Sequence, residues 1–139
     1  MQLTLRTDYA LRLLIYLAGI ENQRVKIAQV ADVHCISRNH LMKIVNDLAH
    51  AGLVNAVRGR GGGIRLGCDP ADINLGEVIR LMEPDCPLVD CTVCRPRARC
   101  NLLRILDEAL GAFNAKLAEH SLADLSVEIP AEPDLDRNG

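Results

Sequence analysis

The sequence predicts a mainly α-helical chain with one small β-hairpin. Three observations carry that expectation. Apolar residues recur at helical spacing through most of residues 1–50 and again after residue 100. One glycine-rich stretch, "VRGRGGGIRLG", interrupts them with strand-like flanks. Aromatic residues are few, with two Tyr, one Phe and no Trp, so Leu, Ile, Val and Ala must fill the core. Together these predict a winged helix-turn-helix domain over residues 1–84, followed by a cysteine-bearing loop (85–100) and a long C-terminal helix (101–125). Residues 126–139 hold two prolines and four acids and read as a solvated, disordered tail.

The first predicted helix is "TDYALRLLIYLAGI" (7–20), apolar nearly all round and capped by Thr7 or Asp8. After the polar break "ENQRV", "KIAQVADVH" (26–34) is a second, short helix. "CIS" is a turn, and Ser37 is the N-cap of "RNHLMKIVNDLAHAG", which Gly52 ends. In that third helix Leu41, Ile44, Val45 and Leu48 form the inward stripe. Asn39, His40, Lys43, Asn46, Asp47 and His50 lie opposite. Two short helices joined by a tight turn fit a helix-turn-helix as well as any αα-hairpin. The hairpin that follows (53–67) favours the former. It has the place of a wing, and Arg58, Arg60 and Arg65 flank its glycines, of which Gly62 sits mid-turn.

"LGEVIRLME" (75–83) is a fourth helix with Leu75, Val78, Ile79 and Met82 inward, and Pro84 ends it. In the C-terminal helix Leu103, Leu106, Leu110, Phe113 and Leu117 are spaced as an a/d seam over two heptads. Such a seam at the end of a small domain favours a homodimer over packing back onto its own domain.

Composition narrows the function. A chain of 139 residues, 49% hydrophobic and 24% charged, can bury a core without disulfide staples. The N-terminal apolar run spans only about ten residues and contains Arg12. A membrane helix needs about 20, so a cytoplasmic chain without membrane contact is expected. The net charge of −2 hides an asymmetry. Residues 1–67 hold nine Lys/Arg against four Asp/Glu, and residues 68–139 hold seven against fourteen. A polyanion such as double-stranded DNA would therefore meet the first half. Arg38, Asn39, His40 and Lys43 on the third helix, capped by Ser37, and Arg58, Arg60 and Gly62 on the wing are the candidate contacts. An enzyme is not expected, since "GRGGG" lacks the Lys-Ser/Thr and following helix of a phosphate loop. A winged-helix module that binds protein instead of DNA fits the basic residues less well.

Four cysteines crowd "DCPLVDCTVCRPRARC" (85–100), spaced C86-x4-C91-x2-C94-x5-C100. A reducing compartment disfavours disulfides. Four thiolates suit zinc, although zinc ligands usually come as two tight pairs. An iron–sulfur cluster tolerates wider spacing, and Arg95, Arg97 and Arg99 would offset its negative charge. Spacing alone leaves these two open. Cys35 and Cys68, remote from the loop, read as small buried hydrophobes. His34, His50 and His120 read as surface or capping residues.

"LRTDYALRLLIYLA", "SRNHLMKIVNDLAHAGLVNAVRGRGGGIRLG" and "HSLADL", with a cysteine loop before a long helix, resemble the Rrf2 family of winged-helix regulators over residues 1–125, most nearly its nitric-oxide-sensing repressors. The resemblance implies a homodimer that holds palindromic operators when it carries an iron–sulfur cluster, with 4Fe–4S favoured and 2Fe–2S the alternative. It releases them when nitric oxide damages the cluster. It also implies Cys91, Cys94 and Cys100 as ligands. Cys94 and Cys100 keep the family's spacing, and "EPDCPLVD" leads to Cys91. Asp8 of "RTDYALR" matches a fourth ligand supplied across the dimer. Two departures matter. The gap between Cys91 and Cys94 is shorter than usual, and Cys86 is an extra thiol. Cys86 in place of Cys91 would give the C-x7-C-x5-C spacing of iron-responsive members, and it could also replace Asp8. An iron- or redox-responsive regulator of this family, or a zinc-stabilised one, is the alternative reading.

Overall fold

A computed structural model describes residues 1–21, 23–85, 88–89 and 100–125. The chain runs α1 (Leu5–Gly19), α2 (Ile27–His34), α3 (Arg38–His50), β1 (Val54–Val57), β2 (Gly63–Leu66), a 3-10 turn (Pro70–Asp72), α4 (Leu75–Met82), α5 (Leu102–Leu117) and a second 3-10 turn (Leu122–Leu125). This is the mainly helical, winged architecture expected from the sequence. Among the described residues no helix is long and apolar enough to cross a membrane.

The core forms where α1, α2 and α3 meet. α1 contributes Ala10, Leu13, Leu14 and Leu17, and α3 contributes the expected Leu41, Ile44, Val45 and Leu48. Each α3 side chain of that stripe is at most 2% exposed. Burying one such side chain stabilises by about 1.5–3 kcal/mol relative to exposure, so the stripe alone fixes which face of α3 turns outward. Val78 and Met82 of α4 join the same core, as do Val54 and Ile64 of the hairpin.

α1 starts earlier than its sequence pattern indicates. Its N-cap is Thr4, whose side chain accepts the Thr7 N–H, whereas Thr7 is fully buried inside the helix. The reason is tertiary. Glu83, at the end of α4, accepts hydrogen bonds from the Thr4 N–H (2.8 Å) and the Thr4 hydroxyl (3.1 Å). Partial burial pushes the Glu83 carboxyl upward, but bonds from the Thr7 hydroxyl and from the Thr4 N–H and hydroxyl outweigh it. The net result lies below the usual glutamate range.

Both α2 and α3 end in the same motif. After α3, Gly52 takes φ +79°, its N–H meets the Ala49 carbonyl, and Leu53 N–H reaches back to the Leu48 carbonyl. After α2, Cys35 takes the left-handed place at φ 53°. Its N–H bonds the Asp32 carbonyl, and Ile36 N–H bonds that of Ala31. These are paired Schellman closures, one with glycine and one without. Cys35 is thus an exposed turn residue and not a buried hydrophobe, and Cys68 is exposed as well. Partial desolvation of the Cys68 sulfur, then Asp72 and Asp69, raise its thiol pKa. His34 departs from expectation too. Its Nε2 is buried without a hydrogen-bond partner among the described residues, and its ring stands edge-on to Tyr16 at 5.7 Å. Burial, followed by Arg12, holds its pKa below the usual histidine range.

The helix expected over 101–125 is shorter. α5 stops at Leu117, and the chain then returns to the winged-helix core. Asn74 Nδ2 donates to the Ala118 carbonyl (2.7 Å), Leu75 N–H to that of His120, and Leu122 N–H to that of Ile73. Leu122 is 1% exposed. Gly76 permits this return, because a Cβ there would lie 3.0 Å from the Ala118 backbone.

Two outcomes test these closures. Cys35→Gly removes a left-handed strain of about 1–2 kcal/mol but adds unfolded-state entropy. Urea unfolding should show a gain of about 0.5 kcal/mol. Glu83→Gln keeps an acceptor but loses the charge, so at pH 7 the variant should be less stable by about 1 kcal/mol. Because the folded pKa of Glu83 is depressed, its contribution is complete above the unfolded glutamate value. It is lost as the pH falls through the folded value. The gap between wild type and variant should therefore close on acidification below about pH 4.

Candidate nucleic-acid interface

The Schellman turn after α2 delivers Ser37 to the start of α3, where its Oγ accepts the His40 N–H at 3.4 Å. With the Leu41–Leu48 stripe buried, Ser37, Arg38, Asn39, Lys43, Asn46 and His50 stand exposed, and Asp47 is half-buried. His50 Nδ1 lies 2.7 Å from the Asn46 carbonyl oxygen. His40 differs from its neighbours. It is half-buried, its ring edge-on to Tyr9 of α1 with centroids 5.2 Å apart. Met42, which the polar pattern did not single out, is 49% exposed on the same helix.

The hairpin pairs Val54 with Leu66 and Val57 with Gly63. Arg58 and Arg60 are exposed in the turn between them, and Arg65 is exposed on β2. Gly62 is needed for close approach, since a Cβ there would fall 2.3 Å from the Val57 carbonyl oxygen. The hairpin is also held from behind. Val25 exchanges two backbone hydrogen bonds with Ile64 (3.0 and 2.8 Å), making a one-residue third strand. Next to it, the Arg24 guanidinium donates to the Gly63 carbonyl (3.3 Å) and to Asn55 Oδ1 (2.7 Å). "ENQRV" reads only as a polar break in the sequence, so this strap is visible only once the fold brings residues 24 and 63 together.

Arg6 is a second residue that the sequence did not mark. From the first turn of α1 it reaches Asp47 on the exposed face of α3. Arg6, His40, Lys43, Ile44, Asn46 and Asp47 line one open cleft.

Of the candidate metal ligands, Cys100 is a free, exposed cysteine two residues before α5. Asp8 lies half-buried in the first turn of α1, where its Oδ1 accepts from Arg12 Nε at 3.1 Å. Cys86, Cys91 and Cys94 fall outside the described residues, as do Arg95, Arg97, Arg99 and the 126–139 tail. Among the described residues, no three His, Cys, Asp or Glu side chains gather within one chain. The donors that are described, the Cys100 thiol and the Asp8 carboxylate, are both reachable from solvent and are of types that iron or zinc accepts. On α5 no residue is buried. Leu102 and Ile105 are 51% and 52% exposed, and Leu103 and Phe113 are also open.

Comparison with known proteins agrees with this architecture. The Rrf2 family pattern, described as an iron-dependent transcriptional regulator, matches residues 3–128. The HTH-type transcriptional regulator NsrR of Bacillus subtilis (strain 168) is 47% identical over 131 residues, covering 90% of each chain. Among solved structures, T. potens IscR superposes with a TM-score of 0.72 over 90% of this chain and 85% of that one. At 23% identity this likeness concerns the fold alone. Staphylococcus aureus CymR gives a TM-score of 0.72 at 27% identity, over 92% of this chain and 100% of that one. With the family pattern covering nearly the whole chain and a relative at that level of identity, this protein belongs to the Rrf2 family of transcriptional regulators.

Proposed function

We propose that the chain is a homodimeric repressor that holds a palindromic operator while it carries an iron–sulfur cluster and releases it when nitric oxide damages that cluster. The observation that carries this reading is the 47% identity with NsrR over 90% of both chains. The open, basic face of α3 and the exposed wing arginines support the DNA-binding part. In this reading α3 enters the major groove. Arg38, Asn39 and Lys43 reach base edges or phosphates there, His40 is buttressed by Tyr9, and Ser37 fixes the start of the helix. Arg58, Arg60 and the close-packed Gly62 serve the adjacent backbone or minor groove.

The dimer reading rests on α5. α5 is a helix of sixteen residues with none buried, and of its apolar stripe along Leu103, Leu106, Leu110, Phe113 and Leu117 the side chains of Leu103 and Phe113 stay exposed among the described residues. Leu102 extends the stripe. A second copy of α5 would cover it, joining two winged heads at a spacing set by the helix pair.

Cys91, Cys94 and Cys100 would hold the cluster with Asp8 of the partner subunit, Cys86 being the alternative thiol. When bound, the cluster would supply iron to which nitric oxide can add, most readily at an iron held by a carboxylate instead of a thiolate. Arg12 keeps the Asp8 carboxylate on the surface of α1, where a partner chain can reach it. An iron-responsive regulator is the second reading. The family description as iron-dependent favours it, and so does the C-x7-C-x5-C spacing of Cys86, Cys94 and Cys100.

The central experiment is anaerobic purification followed by spectroscopy and metal analysis. A brown protein with iron and sulfide is expected, whose cluster absorbance and operator affinity both fall on adding nitric oxide. Colourless protein with stoichiometric zinc would overturn the sensor reading. Loss of affinity on iron depletion with none on nitric oxide addition would select the iron-responsive one. For the dimer, Leu106→Asp places a charge in the seam. It should yield a monomer by sedimentation and lower operator affinity at least tenfold, while the helical circular dichroism of the winged domain persists.

A further inference from the structure

If α3 meets DNA as proposed above, one feature of its open face is out of place. Asp47 is a carboxylate on the surface that would approach a polyanion, one turn beyond Lys43. Left alone it would repel phosphate. It is not left alone, because Arg6 Nη2 lies 2.5 Å from Asp47 Oδ2, and the two side chains remain 46% and 42% exposed. A guanidinium carries five N–H donors in a fixed plane, and one carboxylate engages two at most. The remaining donors are free for the cleft that Arg6 lines together with His40, Lys43 and Asn46. The backbone that carries Arg6 is well fixed, since it lies between Thr4 and Thr7, the residues clamped by Glu83.

We propose that Arg6 is a DNA-phosphate contact at the rim of the α3 surface and that Asp47 is its positioning residue, holding the guanidinium at the cleft. The assignment rests on the DNA-binding reading. It turns an apparent electrostatic liability on the recognition surface into a support for a cation from another helix. A carboxylate that orients an arginine costs repulsion but removes the need to order a long, mobile side chain on binding.

The test uses the full-length dimer and a random-sequence duplex of about 30 base pairs, because a phosphate contact acts on any sequence. Affinity is followed by fluorescence anisotropy over a series of salt concentrations. Arg6→Ala should weaken binding about tenfold and make the slope of log K against log salt shallower by about 0.9 per DNA-bound protomer. Arg6→Lys should retain the slope. Lys43→Ala serves as the internal reference for a surface cation of α3. In the Asp47→Ala background, Arg6→Ala should cost less than it does in wild type, because a freed guanidinium contributes less. An unchanged slope for Arg6→Ala, with a slope change for Lys43→Ala, would overturn the phosphate contact while leaving the DNA-binding reading standing. A larger cost of Arg6→Ala in the Asp47→Ala background would overturn the positioning role and make Asp47 a latch that withholds Arg6. Wild-type protein that binds no duplex at any salt would overturn the DNA-binding reading and this assignment with it.

Discussion

The apolar seam between α1 and α3 is the contact on which the rest of the structure depends. Leu13, Leu14 and Leu17 on one side and Leu41, Ile44, Val45 and Leu48 on the other are nearly inaccessible to water. Their burial fixes the rotation of α3 about its axis, because any other rotation would expose the stripe and bury Lys43 and Asn46. The polar cross-links between the two helices are consequences of that rotation. Tyr9 can meet His40, and Arg6 can meet Asp47, only when the stripe is inward. They refine the placement but do not create it, since exposed ion pairs are worth little by themselves.

From this seam the remaining elements are added by backbone closures together with apolar contacts to the same core. α3 hands directly to β1 through the Gly52 turn, and the hairpin is anchored by Val54 and Ile64 in the core. Val25 and Arg24 hold its outer strand from the other side. α4 is tied at both ends. Its start is hydrogen-bonded to residues 118–122, and its end to the cap of α1 through Glu83. The cysteine-bearing stretch thus departs from a segment clamped to α1, and it arrives at α5, whose far end is clamped to α4.

Electrostatics and packing divide the chain in the same place. The basic excess lies in residues 1–67, which build α1 to β2, and the acidic excess follows from residue 68 onward. Within the basic part the cations do not share one role. Arg24 is spent on the hairpin backbone and Arg12 on Asp8, Arg6 is oriented by Asp47, and Arg38, Lys43, Arg58 and Arg60 remain open. A count of positive charge overstates the cations available to a ligand, because internal acceptors orient several of them.

Much of this was legible in the sequence, and for a physical reason. Periodicity is a local property, so the stripe on α3, the inward face of α4, the glycine that ends α3 and the glycine-rich hairpin could each be read from neighbouring residues. The same holds for Ser37 as a cap and for the exposed polar face of α3, and the family resemblance rests on these local patterns too. What tertiary structure alone decided depends on residues far apart in the chain. Thr4 displaces Thr7 and Asp8 as the cap of α1 because Glu83 arrives there from the end of α4. α5 stops at Leu117 because Asn74 and Ile73 capture the chain beyond it. Cys35 is held left-handed and exposed because Ile36 must enter the core. Arg6 and Arg24 join the functional surface only through partners about 40 and 30 residues away, a distance over which no local pattern carries information.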